Sequence, residues 1–193
     1  FDKIKVEHFL PALDEAIKMA KDNFSKINEV TDINFDSIIL AGESASDRLD
    51  QIVEIFFSLH SAQCTDELTA ISEEFNKKLT DYSSDISLDP KIFAKVAEVY
   101  KLKDSLSLTG EQEIVLDQTY RSFTRNGALL NEKEKNKLRE LDQKASLLSL
   151  NFSENCRKAT NAYELIIDNE EDVKGMPDGI LEAAAAKAKE VGK

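Results

Sequence analysis

Glycine and proline are scarce, at 6 and 3 among 193 residues. An all-β chain needs a turn roughly every ten residues, and these numbers cannot supply the turn formers. Cysteine is scarcer: Cys64 and Cys156 are the whole set. Two such residues make no disulfide framework, and neither has a neighbouring Cys to form a zinc knuckle. A reduced compartment follows, cytoplasmic in the first instance, with the periplasm reading the same way. No apolar run approaches the ~20 residues that span a bilayer. Positive charge is in deficit, with 25 Lys+Arg against 37 Asp+Glu and a net charge of −12. So acidic a surface repels phosphate backbones and anionic lipid, which argues against nucleic acid and membrane as partners. The chain also lacks an initiator Met, opening at Phe1, which reads as a mature, trimmed or excised product.

What is present is helical. Hydrophobic residues make up 41% and charged residues 32%, which suits a folded, soluble chain with room for one large domain or two small ones. A first helix is predicted from about Glu7 to Val30, its apolar stripe running Leu10, Leu13, Ile17, Ala20, Phe24, Ile27. Asn34 can cap a second, with Phe35, Ile38, Ile39, Gly42, Ala45, Leu49, Ile52, Val53 and Phe56 inward. Unbroken to Ala62, that rod would be roughly 40 Å long. A third begins at Cys64 or Thr65 and carries Leu68, Ile71, Phe75, Leu79, Tyr82 and Ile86. Asp89-Pro90 pairs an N-cap carboxylate with proline at the first helical position and opens the fourth, with Ile92, Phe93, Val96, Val99 and Tyr100 inward. Thr109 caps a fifth, through Ile114, Leu116, Tyr120 and Phe123, which Gly127 ends. Asn131 with Glu134 forms a capping box for a sixth, whose buried side is predicted to be Leu138, Leu141, Ala145, Leu148, Phe152 and Cys156. Short connections between the rods predict antiparallel neighbours.

The texture changes near Asn161. Tyr163 to Asp168 has strand composition, with Tyr163, Leu165 and Ile167 alternating onto one face. The breakers Gly175, Pro177 and Gly179 and an alanine-rich helix, about Ile180 to Val191, follow. One strand leaves its backbone groups unpaired. Its mate is therefore expected beyond Lys193, in polypeptide outside this chain. The predicted fold is mainly α: an antiparallel bundle of about six long helices, one short strand and a C-terminal Ala-rich helix. Residues 1–160 form the helical domain, and 161–193 start a segment leading into a further lobe.

Chemistry is thin. A helical zinc protease places two histidines at i and i+4 with a glutamate beside the first. His8 is followed by Phe9-Leu10-Pro11-Ala12 and has no partner at that spacing. His60 has Cys64 four residues on, but it continues the stripe of Ile52, Val53 and Phe56; the pair reads as a partly buried imidazole and a small apolar thiol. There is no G-x-S-x-G elbow and no phosphate-cradling glycine loop. Carboxylate runs such as Glu73-Glu74 and Glu170-Glu171-Asp172 read as solvated faces or helix starts. No catalytic or metal-binding residue is assigned, and substrate-binding residues stay unassigned.

Several stretches nonetheless resemble one family. Phe1 to Leu13 (FDKIKVEHFLPAL), Phe56 to Ala62 with Asp66-Glu67-Leu68, Tyr120 to Gly127, Thr160 to Tyr163 and Gly175 to Gly179 are similar to the M3 family of zinc metallopeptidases. They fall in the family's order and cover essentially the whole chain. The peptidyl-dipeptidase branch is the better likeness, the oligopeptidase A branch the next. The resemblance implies a two-lobed, mostly helical parent with a deep channel and a zinc in its C-terminal lobe. There an H-E-x-x-H helix and a downstream glutamate hold the metal. None of those motif residues falls on this sequence. The resemblance thus implies an N-terminal region forming part of the substrate-channel wall, inert alone and without a cofactor, in a zinc-containing parent that hydrolyses short peptides and releases C-terminal dipeptides. Its partners would be peptide substrates and the parent's catalytic lobe, and an exposed apolar face could pair two copies. A free-standing helical interaction module is the alternative.

Overall fold

The computed structural model describes residues 3–190 and 192. It forms two compact units, Phe1–Phe152 and Ser153–Lys193, and among the described residues it contains helices and no strand.

In the first unit a short 3-10 turn, Val6–His8, leads into α1, Phe9–Glu29. A π-helical turn, Phe35–Leu40, and α2, Ala41–Ser44, precede α3, Asp47–Ala62. Then follow α4, Asp66–Ser87, α5, Pro90–Leu102, α6, Gly110–Arg125, and α7, Glu132–Ala162, whose last residues belong to the second unit. The starts are fixed locally. Asn34 Oδ1 accepts from Ser37 N–H at 3.0 Å while Ser37 Oγ accepts from Asn34 N–H at 3.1 Å. Thr65 Oγ1 caps α4 through Leu68 N–H, and Asp89 Oδ1 caps α5 through Lys91 and Ile92 N–H. Thr109 with Gln112, and Asn131 with Glu134, make reciprocal pairs at the heads of α6 and α7.

α6 ends as its sequence demands. Gly127 has φ +95°, and Ala128 N–H reaches back to Phe123 C=O at 3.0 Å, the 6→1 bond of a Schellman cap. A Cβ at Gly127 would stand 2.6 Å from Leu138 Cδ2.

The core lies in two clusters. Phe9, Leu13, Ala16 and Ala20 of α1 meet Leu49 and Phe56 of α3 and Leu68, Phe75 and Tyr82 of α4. Phe56 sits at the centre, stacked on Phe75 with centroids 3.8 Å apart and edge-on to Phe9 at 5.2 Å. The second cluster joins Ile27, Phe35, Ile38, Ile39 and Ala45 to Val96, Val99 and Leu116 of α5 and α6. α1 is rotated slightly from its predicted stripe: Phe9 and Ala16 are buried, and Leu10, Ile17 and Phe24 are half-buried. On α6, Ile114 faces solvent and Val115 packs inward instead.

Three expectations fail. The second helix is not one rod. It breaks at Ala45–Ser46, where Asn23 Nδ2 donates to Ala45 C=O at 3.1 Å and Ser46 Oγ bonds Tyr82 Oη at 2.6 Å. Ser46 leaves helical geometry there (φ −107°, ψ 3°), since tertiary hydrogen bonds have displaced helical ones. The predicted inner side of α7 is also mistaken. Leu141, Ala145, Leu148, Phe152 and Cys156 are exposed and Leu138 is half-buried, because α7 lies on α4 through a polar face.

The third failure is in the second unit, which comprises the end of α7, a 3-10 turn over Glu170–Val173 and α8, Asp178–Glu190. Tyr163 to Asp168 is not a strand: β composition supplies the side chains, but a strand exists only through a ladder, and none forms there. Tyr163, Leu165 and Ile166 stand largely in solvent. Asn169 caps the 3-10 turn through Glu171 N–H, and α8 is the alanine-rich helix that was expected. No described helix is long and apolar enough to cross a membrane.

Candidate functional site

The two histidines are not brought together as zinc-protease ligands. His8 lies in the 3-10 turn, exposed, its Nδ1 accepting from Lys5 N–H at 3.1 Å. His60 is on the last turn of α3, half-buried and stacked over Phe56 at 5.9 Å between centroids. The i,i+4 spacing does bring Cys64 to it: Sγ stands 3.7 Å from His60 Nε2 and 3.2 Å from Thr69 Oγ1. Cys64 closes the α3–α4 turn just before the Thr65 cap, so helix ends position the pair.

The first unit holds a cleft of about 640 Å³ between α1, the π turn, α2, α3, α4, α5 and α6. Its floor is apolar, with Phe24, Ile38, Leu49, Val53, Ile92 and Val96. Its mouth carries hydroxyls and amides from Ser83, Ser122, Gln118 and Asn126, and the carboxylates of Glu43 and Asp50. Burial raises the Asp50 carboxyl above its ordinary value, and the charges of Asp47 and Glu54 push the same way. Burial likewise raises the Tyr82 hydroxyl; the bond to Ser46 opposes that shift and Asp50 adds to it. No imidazole, thiol, ammonium or guanidinium is among the described lining residues. Serines lie there without an imidazole base, so the lining offers shape and hydrogen bonds and no nucleophile–imidazole couple. Periodicity marked the floor residues as core, but nothing local announced a cleft, because a cleft depends on how far apart packed helices stand.

The third feature is the seam between α4 and α7. Asn76 Nδ2 donates to Ser146 Oγ at 2.7 Å, and Thr80 Oγ1 donates to the same oxygen at 2.9 Å. Gln143 donates to Asp81 Oδ1 at 2.6 Å, and Arg139 to Asp85 Oδ1 at 2.9 Å. At the head of α7 the buried Lys135 donates from Nζ to Leu88 C=O at 2.9 Å, at the C-terminus of α4. An ammonium there satisfies an orphan carbonyl and meets the negative end of the helix dipole.

No protein-family model matches the chain. Curated relatives do. The chain is 28% identical over 193 residues to a dipeptidyl carboxypeptidase of Escherichia coli, and 30% identical over 193 residues to one of Salmonella typhimurium. It is 23% identical over 192 residues to an oligopeptidase A of Haemophilus influenzae. In each case the match takes in the whole chain and 28% of the relative, so the chain spans little more than a quarter of their length. The likeness read from short stretches of the sequence therefore holds from end to end.

Proposed function

We propose that this chain is the N-terminal helical part of an M3-type zinc metallopeptidase that hydrolyses short peptides and releases dipeptides from their C-termini. The whole-chain likeness to dipeptidyl carboxypeptidases, over 28% of their length, carries the reading. The zinc implied by that family would polarise the peptide carbonyl and activate water. The residues here do not fit its H-E-x-x-H donor set: His8 accepts a backbone hydrogen bond in a turn before α1, and His60 ends α3. Metal and general base belong, on this reading, to the remainder of the parent, and no catalytic step is assigned to these side chains.

The contribution of this chain is a wall. Helices packed through two apolar clusters give a stiff surface, which admits extended peptides to a channel and keeps folded proteins out. The parent is read as cytoplasmic because the two cysteines of this chain suit a reduced compartment, a periplasmic protein without disulfides being the alternative. Three assays test the reading: the full-length gene product and the 193-residue chain are each incubated with an N-blocked tetrapeptide, products are read by mass spectrometry, and a zinc chelator is added in parallel. The gene product should release the C-terminal dipeptide until the chelator stops it, and the 193-residue chain should release nothing. Hydrolysis by the short chain, or none by the gene product, overturns the proposal.

A further inference from the structure

Helix α7 wears its chemistry inside out. The face on α4 is polar, and the opposite face carries Leu141, Leu148 and Phe152 at 51%, 59% and 70% exposure. Ala145, also exposed, fills the step between them. Steps of four, three and four set these side chains in one file along the helix. Lys137, paired with Glu140 at 2.8 Å, and Lys144, both exposed, stand one turn before Leu141 and Leu148 at the edge of the file. Burying a leucine or phenylalanine side chain contributes about 1.5–3 kcal/mol, so a contiguous file in water marks a surface that something covers.

We infer that the file is the seat of the remaining polypeptide of the same parent, which meets it with an apolar ridge carrying a carboxylate opposite Lys144. The inference rests on the peptidase reading above. Nearly three quarters of each relative lies outside the matched stretch, ample chain to provide such a ridge. A second copy is the poorer occupant, because symmetric antiparallel pairing of two α7 files sets the two Lys144 edges on the same side, cation toward cation. An acidic group on the incoming ridge opposite Lys144 follows from the same charge.

The test uses the full-length gene product carrying Leu148→Cys. Maleimide labelling at residue 148 is followed by site-resolved mass spectrometry, in the native protein and in the same protein unfolded in urea. The side chain is exposed on this chain by itself, so native protection on the order of ten-fold or more reports a cover supplied from elsewhere. Protection in a monomeric protein, confirmed by light scattering, supports the inference. Labelling as fast as in urea, in a protein that still cleaves peptides, overturns it and leaves the peptidase reading standing. Protection that disappears on dilution assigns the file to a second copy and overturns it as well. Peptide hydrolysis is scored separately, so a failure of the peptidase reading shows in that assay alone.

Discussion

Phe56 and Phe152 lie on equally regular apolar stripes, yet their truncation should have opposite consequences. Phe56 is fully buried, stacked on Phe75 at 3.8 Å and edge-on to Phe9 and Phe57. Phe56→Ala removes the ring around which α1, α3 and α4 close, and the packed helices can relax only partly into the void. Loss of the transfer term plus the cavity term amounts to about 3–5 kcal/mol. For a chain of this length each kcal/mol moves the midpoint by about 2–4 °C, so the drop should be roughly 6–20 °C. Phe152→Ala removes a ring already 70% in solvent and should stay within about 0.5 kcal/mol of the parent. Thermal melts followed by circular dichroism at 222 nm, run side by side on the 193-residue chain, decide the matter. The reasoning is refuted if Phe152→Ala costs as much as Phe56→Ala, which would mean α7 buries its leucine file within this chain. A loss under about 1 kcal/mol for Phe56→Ala would refute the assignment of the core centre.

Two further perturbations have signs fixed by geometry. Gly127→Ala should destabilise by more than about 1 kcal/mol, since it places a Cβ at positive φ and drives it onto Leu138; a neutral or stabilising result in urea titrations would contradict the cap. Tyr82→Phe should cost about 0.5–1.5 kcal/mol at neutral pH through the lost bond to Ser46. Burial raises the folded-state ionisation of Tyr82 above its unfolded value of 10.0. The unfolded chain therefore ionises first as pH rises, and the stability tied to this hydroxyl is complete below pH 10 and lost above it. The gap between parent and Tyr82→Phe should narrow in alkaline urea titrations, and a gap constant across pH 10 would exclude the linkage.

The helix ends were legible because capping is local. Asp89-Pro90, Thr109 with Gln112, and Asn131 with Glu134 each need only residues within one turn to find their hydrogen bonds. The faces were half legible. Periodicity locates the apolar side of α7 correctly, but it cannot say which side docks, and Asn76, Thr80 and Ser146 carry no periodic signal. Tyr163 to Asp168 failed for a related reason: side chains suited to a sheet do not create the neighbouring strand that a sheet requires. At the candidate site the four-residue spacing of His60 and Cys64 did translate into contact. The cleft between α3 and α6 did not announce itself, since Glu43, Asp50 and Asn126 meet there only through tertiary packing.

The bond from Lys135 to Leu88 C=O, at the C-terminal cap of α4, acts as a detent on rotation. Hydrogen bonds are directional, and α7 uses several of them, from Lys135 to Ser146, along a single line. Turning the helix far enough to tuck its leucines inward would break these bonds and set Leu88 C=O and the Asp85 carboxylate against apolar side chains, a cost that opposes the burial. The greasy edge is thus held facing outward by its own anchorage, pre-set before any counterpart arrives.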